Sequence, residues 1–452
     1  MNKNKIIFGI IGVFLLGLII WGVSLLNKST SETKTPKNTV VWGVNIWIVG
    51  DDKTKFSEIV SDFKASNKTY ASTTINIESF SNYADYYNTL ASSFIAGKSP
   101  DVFVLNNNEQ SVFLEQVDGI SPTEIDPNNF KKWFQQFFWD DLVKTTTMTV
   151  GEEEKKVEFL VGVPVGYEVL WMFYNKRYIN AKDVVSWASI SSAIKNIKEK
   201  GTEIIPLAMW DGSTVPYAED IITQFFMLDG LNTLEKTDGN KMKQGLSSYM
   251  TFWDPDGDNA YNKATPELKE LWKNALDLFS REEVAMVAGY PRMLKEINQR
   301  GFKKNFLFAA PFPNYFLSEG KTLVNYNYFV ANKNSRNLKF AQTFVKYLST
   351  ESAQKKFLTT YPYYLPALIS LESDVLSEKI DSNYPIILKD FLREDTIRAS
   401  YDKGLKSLYD EKIIEVLNDE QNYTSSYEKF KKNLICQVAK ITKFQNLSSD
   451  CK

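Results

Sequence analysis

The chain of 452 residues contains no histidine, only two cysteines and almost no net charge. Without histidine there can be no Ser-His-Asp or Cys-His nucleophile pair, no histidine-ligated zinc or haem and no histidine pH switch. The formal charge of -2 gives no reason to expect nucleic acid or an anionic lipid surface as a partner. The composition therefore excludes a large part of enzyme chemistry.

The two cysteines, Cys436 and Cys451, both lie near the C-terminus. In an extracytoplasmic setting they can pair and close the C-terminal tail, and otherwise they are two free thiols. The sequence leaves both alternatives open.

Only one long apolar run occurs near the start of the chain, from Ile6 to Leu26. Its 21 uncharged residues are enough to cross a bilayer as a helix. No small-residue cleavage site follows, and the apolar part of a secretory signal is usually shorter. We therefore predict that residues 1–28 form an uncleaved signal-anchor, with a cleaved signal peptide as the alternative. Residues 29–38 are polar and are predicted to be a flexible linker.

Aromatic side chains are what the sequence has in quantity, at 14% of all residues with 23 Tyr and 10 Trp. Such rings commonly line small-molecule clefts as well as cores. The length is too great for a single core, so we expect about two or three domains or lobes.

From residue 39 the chain alternates strand and helix patterns. Strand patterns at 40–49, 75–80 and 102–105 are separated by apolar residues at helical spacing. This alternation builds a parallel α/β sheet, in which ligands bind beyond the carboxyl ends of the strands. The candidate ligand contacts at those ends are Trp47, Asp51, Asn106 and Asn107. Ordinary turn chemistry is the alternative for these polar residues.

Later segments carry further patterns. Alternating aspartates in 253–262 suggest a calcium loop, but the EF-hand spacing is not met and an aspartate-rich turn is expected. The other predicted elements are a helix at 130–144, a hairpin at 145–161, a helix at 189–200, a strand ending at 209–211, a helix opening near 216–217, a helix at 266–279 and a strand reaching Pro311.

The stretch from Glu158 to Lys176 places an acidic residue between two strand patterns. Pro164 cannot donate a ladder hydrogen bond and marks a strand boundary or an edge. The apolar run from Leu170 to Tyr174 predicts a strand buried on both faces, and Glu168 stands at its entrance. A carboxylate there is either a rim residue that reaches water or an acceptor that faces a cleft.

Five segments of the chain resemble the bacterial extracellular solute-binding proteins of the maltose-binding type, the sugar-binding proteins of ABC transporters. The segments are WIVGDDKTKFSEIVSDF, YADYYNTLASSFIAGKSPDVFVLN, GVPVGYEVLWMFYNK, SREEVAMVAGYPRMLKEI and TLVNYNYFVANKNSRNLKFAQTFVKYLSTESAQKKF. In the fourth of these, Arg292 stands where many sugar binders carry tryptophan. The resemblance covers roughly residues 39–366.

The resemblance implies an α/β, two-lobed, type II periplasmic-binding-protein-like fold with a hinge, preceded by one N-terminal transmembrane helix. The implied bounds are 39–120 for the first part of lobe 1, 121–322 for the first part of lobe 2, 323–370 for the return into lobe 1, and 371–452 for a C-terminal helical part mainly in lobe 2.

By the same resemblance the protein binds a sugar or oligosaccharide between the lobes, closes its hinge and delivers the sugar to an ABC permease. It is expected to be a monomer without cofactor or catalysis, anchored in the cell membrane with the binding domain on the extracytoplasmic side. Sugar hydroxyls would be met by Asp51, Asn107 and Glu168. Pyranose faces would lie on rings such as Trp47, Trp210, Tyr217 and Tyr290.

Three alternatives stay open from the sequence. Arg292 in place of a stacking ring favours an anionic or amide-bearing solute. A glycosidase would need two carboxylates about 5 to 10 Å apart, which the sequence cannot locate. A membrane-anchored surface scaffold or adhesion protein could keep the same fold without a transported ligand.

Overall fold

The computed structural model describes residues 43–50, 53–107, 113–150, 153–209, 215–230, 244–245, 248–249, 251–252, 275–315, 321–377 and 397–399. The strands in these ranges are β1 (Val44–Val49), β2 (Ile75–Phe80), β3 (Val102–Asn106), β4 (Val117–Asp118), β5 (Val143–Val150), β6 (Glu153–Leu160), β7 (Val163–Val169), β8 (Trp171–Asn175), β9 (Met286–Gly289), β10 (Leu307–Pro311), β11 (Lys321–Asn332) and β12 (Ile397–Ala399). The helices are α1 (Lys53–Ser66), α2 (Tyr83–Ile95), α3 (Pro127–Trp133), α4 (Gln136–Leu142), α5 (Trp187–Glu199), α6 (Ala218–Leu228), α7 (Ala275–Ser280), α8 (Met293–Gln299), α9 (Leu338–Tyr347), α10 (Glu351–Thr360) and α11 (Ile369–Leu376).

The chain forms two compact units, each made of three segments. Unit 1 comprises Met1–Val104, Gln116–Val163 and Phe329–Ala353, and unit 2 comprises Leu105–Glu115, Pro164–Tyr328 and Gln354–Lys452. Two of the passages between the units fall inside β3 and β11. The lobe bounds expected from the sequence, at 39–120, 121–322, 323–370 and 371–452, stay a prediction beside this division.

Unit 1 is built on a sheet with the strand order β11-β3-β1-β2, in which β1, β2 and β3 are parallel and β11 runs antiparallel to β3. β1 pairs in parallel with β2 along its whole length and with β3 near its centre. The helical spacing predicted for the first connection is confirmed, because Phe56, Ile59, Val60 and Phe63 all lie on the buried face of α1. Gly97 follows α2 at φ +65°, a left-handed conformation that glycine adopts without strain.

The buried carboxylate of Asp101 joins three segments of unit 1. Its Oδ2 accepts from the backbone N of Asn45 at 2.8 Å, and its Oδ1 accepts from Ser335 Oγ at 2.5 Å and Asn337 Nδ2 at 3.3 Å. Asp101 therefore connects the start of β3 to the start of β1 and to the loop that leads into α9.

Tyr86 of α2 ends the pairing of β1 with β3. The ladder between these strands stops at Trp47 and Phe103. Beyond it, the Tyr86 hydroxyl accepts from Val104 N at 2.9 Å and donates to Val104 O at 2.7 Å. One side chain thus takes the place of a neighbouring strand for both backbone groups of Val104.

The remaining part of unit 1 confirms one prediction and corrects another. β5 and β6 form the predicted antiparallel hairpin. The single helix predicted over 130–144 is wrong, since α3 and α4 are separated by Phe134 in an extended conformation. Phe130, Phe134 and Phe138 are all buried, with ring centroids 4.3 and 6.2 Å apart along the series. Burial of these rings outweighs local helix propensity.

Unit 2 contains a three-stranded antiparallel sheet in the order β10-β8-β9. Every residue of β8 is buried, which confirms the strand predicted within 170–174. β9 and β10 flank it in antiparallel register, and β10 ends at Pro311 as predicted. β11 pairs with β7 and with β12 in the same unit.

The strand predicted to end at 209–211 is not formed in the described residues up to Met209. Ile205 makes only an isolated bridge to Val284, and Ala208 N donates to Met286 O at 2.9 Å. The segment is buried because it is apolar, but the two hydrogen bonds of the Ile205 bridge and the single bond from Ala208 do not make a ladder. The helix predicted near 216–217 is confirmed as α6.

Several predictions concern residues that the structure does not describe. They are the span at Ile6 to Leu26, the linker at 29–38, the aspartates of 254–258, and Cys436 and Cys451. Within the described residues, no helix combines the length and apolar character needed to cross a membrane.

Candidate functional site

Glu168 lies on β7, every residue of which is buried. β7 pairs with β11 on one side, and Tyr167 exchanges backbone hydrogen bonds of 3.0 and 2.8 Å with Leu365. A Cβ on Gly166 would lie 2.9 Å from Tyr364 Cβ, so only glycine allows this approach. Glu168 is 1% exposed, and the interpretation as a rim residue that reaches water is wrong.

Arg292 is the partner that makes this burial tolerable. Arg292 Nε lies 3.1 Å from Glu168 Oε2, and its backbone N donates to Oε1 at 3.3 Å. The Nε–H does not point along this line, so the contact is an ion pair and not an aligned hydrogen bond. Burial raises the pKa of the Glu168 carboxyl, and the charge and backbone N–H of Arg292 only partly oppose that rise. The Arg292 side chain itself stays 31% exposed.

Two tyrosine rings flank the guanidinium group. Arg292 Cζ is 5.3 Å from the ring centroid of Tyr217 and 5.1 Å from that of Tyr290. The two rings meet edge to face, with centroids 5.0 Å apart. Distances of this kind give a cation–π attraction that holds the guanidinium in place.

Asp220 completes the cluster from the first turn of α6. The buried Tyr290 hydroxyl donates to Asp220 Oδ2 at 3.1 Å. Burial, together with the negative charge of Asp220, raises the pKa of Tyr290 well above its ordinary value. Tyr290 therefore stays neutral and acts as a hydrogen-bond donor.

The backbone around the cluster is constrained. Tyr217 precedes α6 at φ 58°, a left-handed conformation that is uncommon for a bulky residue. Gly289 ends β9 where a Cβ would come within 1.9 Å of Met293 Sδ. Tyr217 thus stands at the start of α6, and Tyr290 and Arg292 follow the end of β9.

The electrostatic environment of the cluster has more negative than positive groups. Burial raises the pKa of Tyr217; Arg292 opposes this rise, and the carboxyl groups of Glu168, Glu296 and Asp220 add to it. Three carboxyl groups and one guanidinium thus act on the same ring.

Asn106 and Asn107 lie elsewhere in unit 2, next to β11. Asn107 is fully buried, with Nδ2 donating to Val324 O at 3.2 Å and Oδ1 accepting from Tyr326 N at 3.0 Å. Asn106 Nδ2 donates to Asn325 Oδ1 at 2.6 Å and to Asn327 Oδ1 at 3.1 Å. Their amides bind the backbone and side chains of β11.

Unit 1 contributes the other strand-end candidates. Trp47 is 8% exposed, with its ring 5.3 Å from that of Phe80. A shallow depression of about 400 Å³ lies at the same ends of β1 and β2. Its lining residues are Gly50, Lys53, Ile77, Glu78, Ser79 and Ser81. Asp51 and Trp210 lie outside the described residues.

Of the predicted ligand contacts, the structure brings Glu168, Tyr217, Tyr290 and Arg292 together within unit 2. Sequence reasoning missed Asp220, although a carboxylate within the apolar sequence of α6 is the signal that points to a buried partner. No group of three or more acidic or cysteine side chains in the described part of the chain could hold a metal ion.

The chain belongs to the bacterial extracellular solute-binding proteins, whose family profile matches residues 58–383. This membership confirms the resemblance drawn from the sequence and makes the chain one of a class of binding proteins. An extracytoplasmic location follows from the family. No curated protein sequence matches the chain.

Solved structures share the two-lobed α/β fold at low sequence identity. The sugar-binding protein MalE from Xanthomonas citri has a TM-score of 0.66 and 17% identity, over 89% of this chain and 100% of its own. The GacH receptor of Streptomyces glaucescens, solved unliganded and with acarbose, has a TM-score of 0.65 and 16% identity, over 90% and 99%. An ABC substrate-binding protein from Listeria monocytogenes in complex with cycloalternan has 0.62 and 14%, over 88% and 99%.

Proposed function

We propose that this chain is the substrate-binding component of an ABC importer and that its solute is a carbohydrate. The observation that carries the proposal is the Glu168–Arg292 pair between the rings of Tyr217 and Tyr290. Glu168 is buried, whereas the Arg292 side chain is part-exposed beside the flat tyrosine rings. This arrangement suits a ligand with many hydroxyl groups, because hydroxyl groups both donate and accept hydrogen bonds.

The cluster assigns different roles to its members. Arg292 lies near both tyrosine rings, so its N–H groups and not a bare ring face would meet the sugar hydroxyls. Glu168 would orient Arg292, and Asp220 would hold Tyr290. We assign Asn107 a structural role, because its amide oxygen and nitrogen both bond to the backbone of β11.

Proteins with the same fold support a carbohydrate as the solute class: a sugar-binding protein, a receptor solved with acarbose and a protein solved with cycloalternan. The finer features stay proposals: hinge closure around the sugar, delivery to a permease, a monomeric state, and an N-terminal membrane anchor at residues 1–28. A ligand closes a hinge only by binding the closed form more tightly than the open one.

A thermal-shift panel tests the proposal. Maltotriose, cellotriose, mannotriose and xylotriose are added to the protein, and a sugar that binds only the native state raises the melting temperature. Arg292→Ala should weaken the best sugar by about 5- to 150-fold, since each lost polar contact costs about 1 to 3 kcal/mol.

Arg177→Ala is the matched control for that measurement. Arg177 likewise pairs with a glutamate, Glu282 at 2.5 Å, and its Cζ lies 3.8 Å from the ring centroid of Phe306. Equal losses of affinity in Arg177→Ala and Arg292→Ala would show that the cluster around Arg292 is not part of the sugar-binding site. No melting shift with any sugar would contradict carbohydrate binding itself.

A further inference from the structure

We infer that Glu168 makes the site selective for neutral sugars by occupying Arg292, so that sugars carrying a carboxylate are excluded. This inference rests on the proposed function and adds the charge class of the solute. It concerns a choice that the sequence left open, because an arginine at position 292 by itself favours an anionic ligand.

The first step is the compensation of the guanidinium charge. Glu168 Oε2 lies 3.1 Å from Nε of the guanidinium, and Oε1 is held in place by the backbone N of Arg292 at 3.3 Å. A ligand carboxylate would therefore have to share the guanidinium with a carboxylate that cannot leave, because Glu168 is 1% exposed on a strand buried along its whole length.

The second step is the charge of the surroundings. Among the described residues, the groups that act on Tyr217 are the carboxyl groups of Glu168, Glu296 and Asp220 and the guanidinium of Arg292. The same Arg292, Glu168 and Asp220 act on Tyr290. A further negative charge in this partly buried region would be repelled, and such repulsion is weakly screened where water is excluded.

A neutral sugar avoids both costs. Its hydroxyl oxygens accept from the guanidinium without displacing Glu168, and its C–H surface can lie beside the half-buried ring of Tyr217. Glu168 thus acts as a specificity-determining residue through Arg292.

The test compares matched pairs of sugars at pH 8. Maltotriose, cellotriose and mannotriose are each paired with the same trisaccharide oxidised at C6 to the uronate, which adds charge with little change in size. Calorimetric titration gives the ratio of uronate affinity to neutral affinity. The wild-type protein should bind the best neutral trisaccharide at least about 10-fold more tightly than its uronate.

Two single variants should move this ratio in opposite directions. Glu168→Gln frees the guanidinium from its carboxylate, so the relative affinity for the uronate should rise by about 10- to 100-fold. Arg292→Gln leaves Glu168 without its cation, so the relative affinity for the uronate should fall further. If Glu168→Gln does not fold, Arg292→Gln still decides the question.

Glu282→Gln is the matched control, since it removes a carboxylate from the other arginine–glutamate–aromatic group of unit 2. It should leave the ratio unchanged. If the wild-type protein binds a uronate as tightly as the matching neutral trisaccharide, the inference of neutral-sugar selectivity is overturned. The proposal that the protein binds carbohydrate is then unaffected. The same ratio in wild type and both cluster variants also overturns the inference. Absence of binding by every neutral and oxidised sugar defeats the proposed function, and the inference falls with it.

Discussion

A single hydroxyl group satisfies the backbone of β3 at Val104. The Tyr86 hydroxyl accepts from Val104 N and donates to Val104 O, at the point where the pairing with β1 has stopped. Burial raises the pKa of Tyr86, so the hydroxyl stays protonated and can make both bonds.

Tyr86→Phe should lower the free energy of unfolding by about 2 to 4 kcal/mol, because two buried backbone groups lose their partner while the ring stays. Urea denaturation measures the change. Tyr70→Phe is the control: Tyr70 is also buried in unit 1 and packs its ring 5.0 Å from Phe340. Equal effects of the two substitutions would show that the Val104 bonds contribute nothing measurable.

At the residue scale the sequence located Glu168 correctly beside a buried strand but could not show its partner. Arg292 lies 124 residues further along the chain. Local patterns carry no information on such a contact, so a buried ion pair and an exposed carboxylate look the same in the sequence. The carboxylate of Asp220 within the apolar sequence of α6 indicated a buried partner, but the sequence could not show that this partner is Tyr290, 70 residues further along the chain.

Among the elements, β1, β3 and the loop before α9 depend on one carboxylate. Asp101 accepts one backbone and two side-chain donors from Asn45, Ser335 and Asn337. Removing it leaves these donors in a site where the carboxylate is 6% exposed and water has little access.

Asp101→Ala should therefore destabilise the protein by about 2 to 4 kcal/mol and speed hydrogen exchange at the starts of β1 and α9. Asp62→Ala, at an exposed position of α1, should change stability by less than about 0.5 kcal/mol. Unchanged exchange at α9 in Asp101→Ala would show that the loop is held by other contacts.

Elements with strong periodicity were predictable from the sequence, and others were not. α1, α2 and β2 follow from apolar spacing because each buries one face. The break between α3 and α4 did not follow, since the packing of Phe134 against Phe130 decides it. The segment up to Met209 failed as a strand because neighbouring chain, and not its own composition, determines how many ladder bonds form.

For the whole molecule, the absence of histidine simplifies the response to pH. Few side chains have unperturbed pKa values between 5 and 8. The titration of a carboxyl group whose pKa is raised can therefore be observed in this pH range. Burial raises the pKa of Glu168, which means that the folded state favours the protonated carboxyl more than the unfolded chain does.

The stability of the wild-type protein relative to Glu168→Gln should therefore be greatest below about pH 4.3, the unfolded value, and fall as pH rises through the folded pKa. Urea denaturation between pH 4 and pH 8 measures it. Glu124→Gln should show the opposite slope, because hydrogen bonding to Lys346 lowers the pKa of Glu124. That effect should be small, since the Glu124 side chain is 34% exposed. A Glu168 contribution that grows with rising pH would contradict the assignment.

The division into two units cannot be derived from local periodicity alone. Periodicity finds elements one by one, whereas each unit joins three separate segments. The contacts that assign β11 partly to each unit are long-range, and no local pattern marks the change at Phe329.

Unit 1 is assembled from segments that are far apart in the sequence, and this affects its folding during synthesis. β1, β2 and β3 leave the ribosome early, but the part of β11 that completes their sheet follows only after more than two hundred further residues. Until then the nascent chain carries an uncovered strand edge at β3, and the late closure of so long a loop is slow. The first unit of the protein can therefore be completed only after most of the chain has been synthesised.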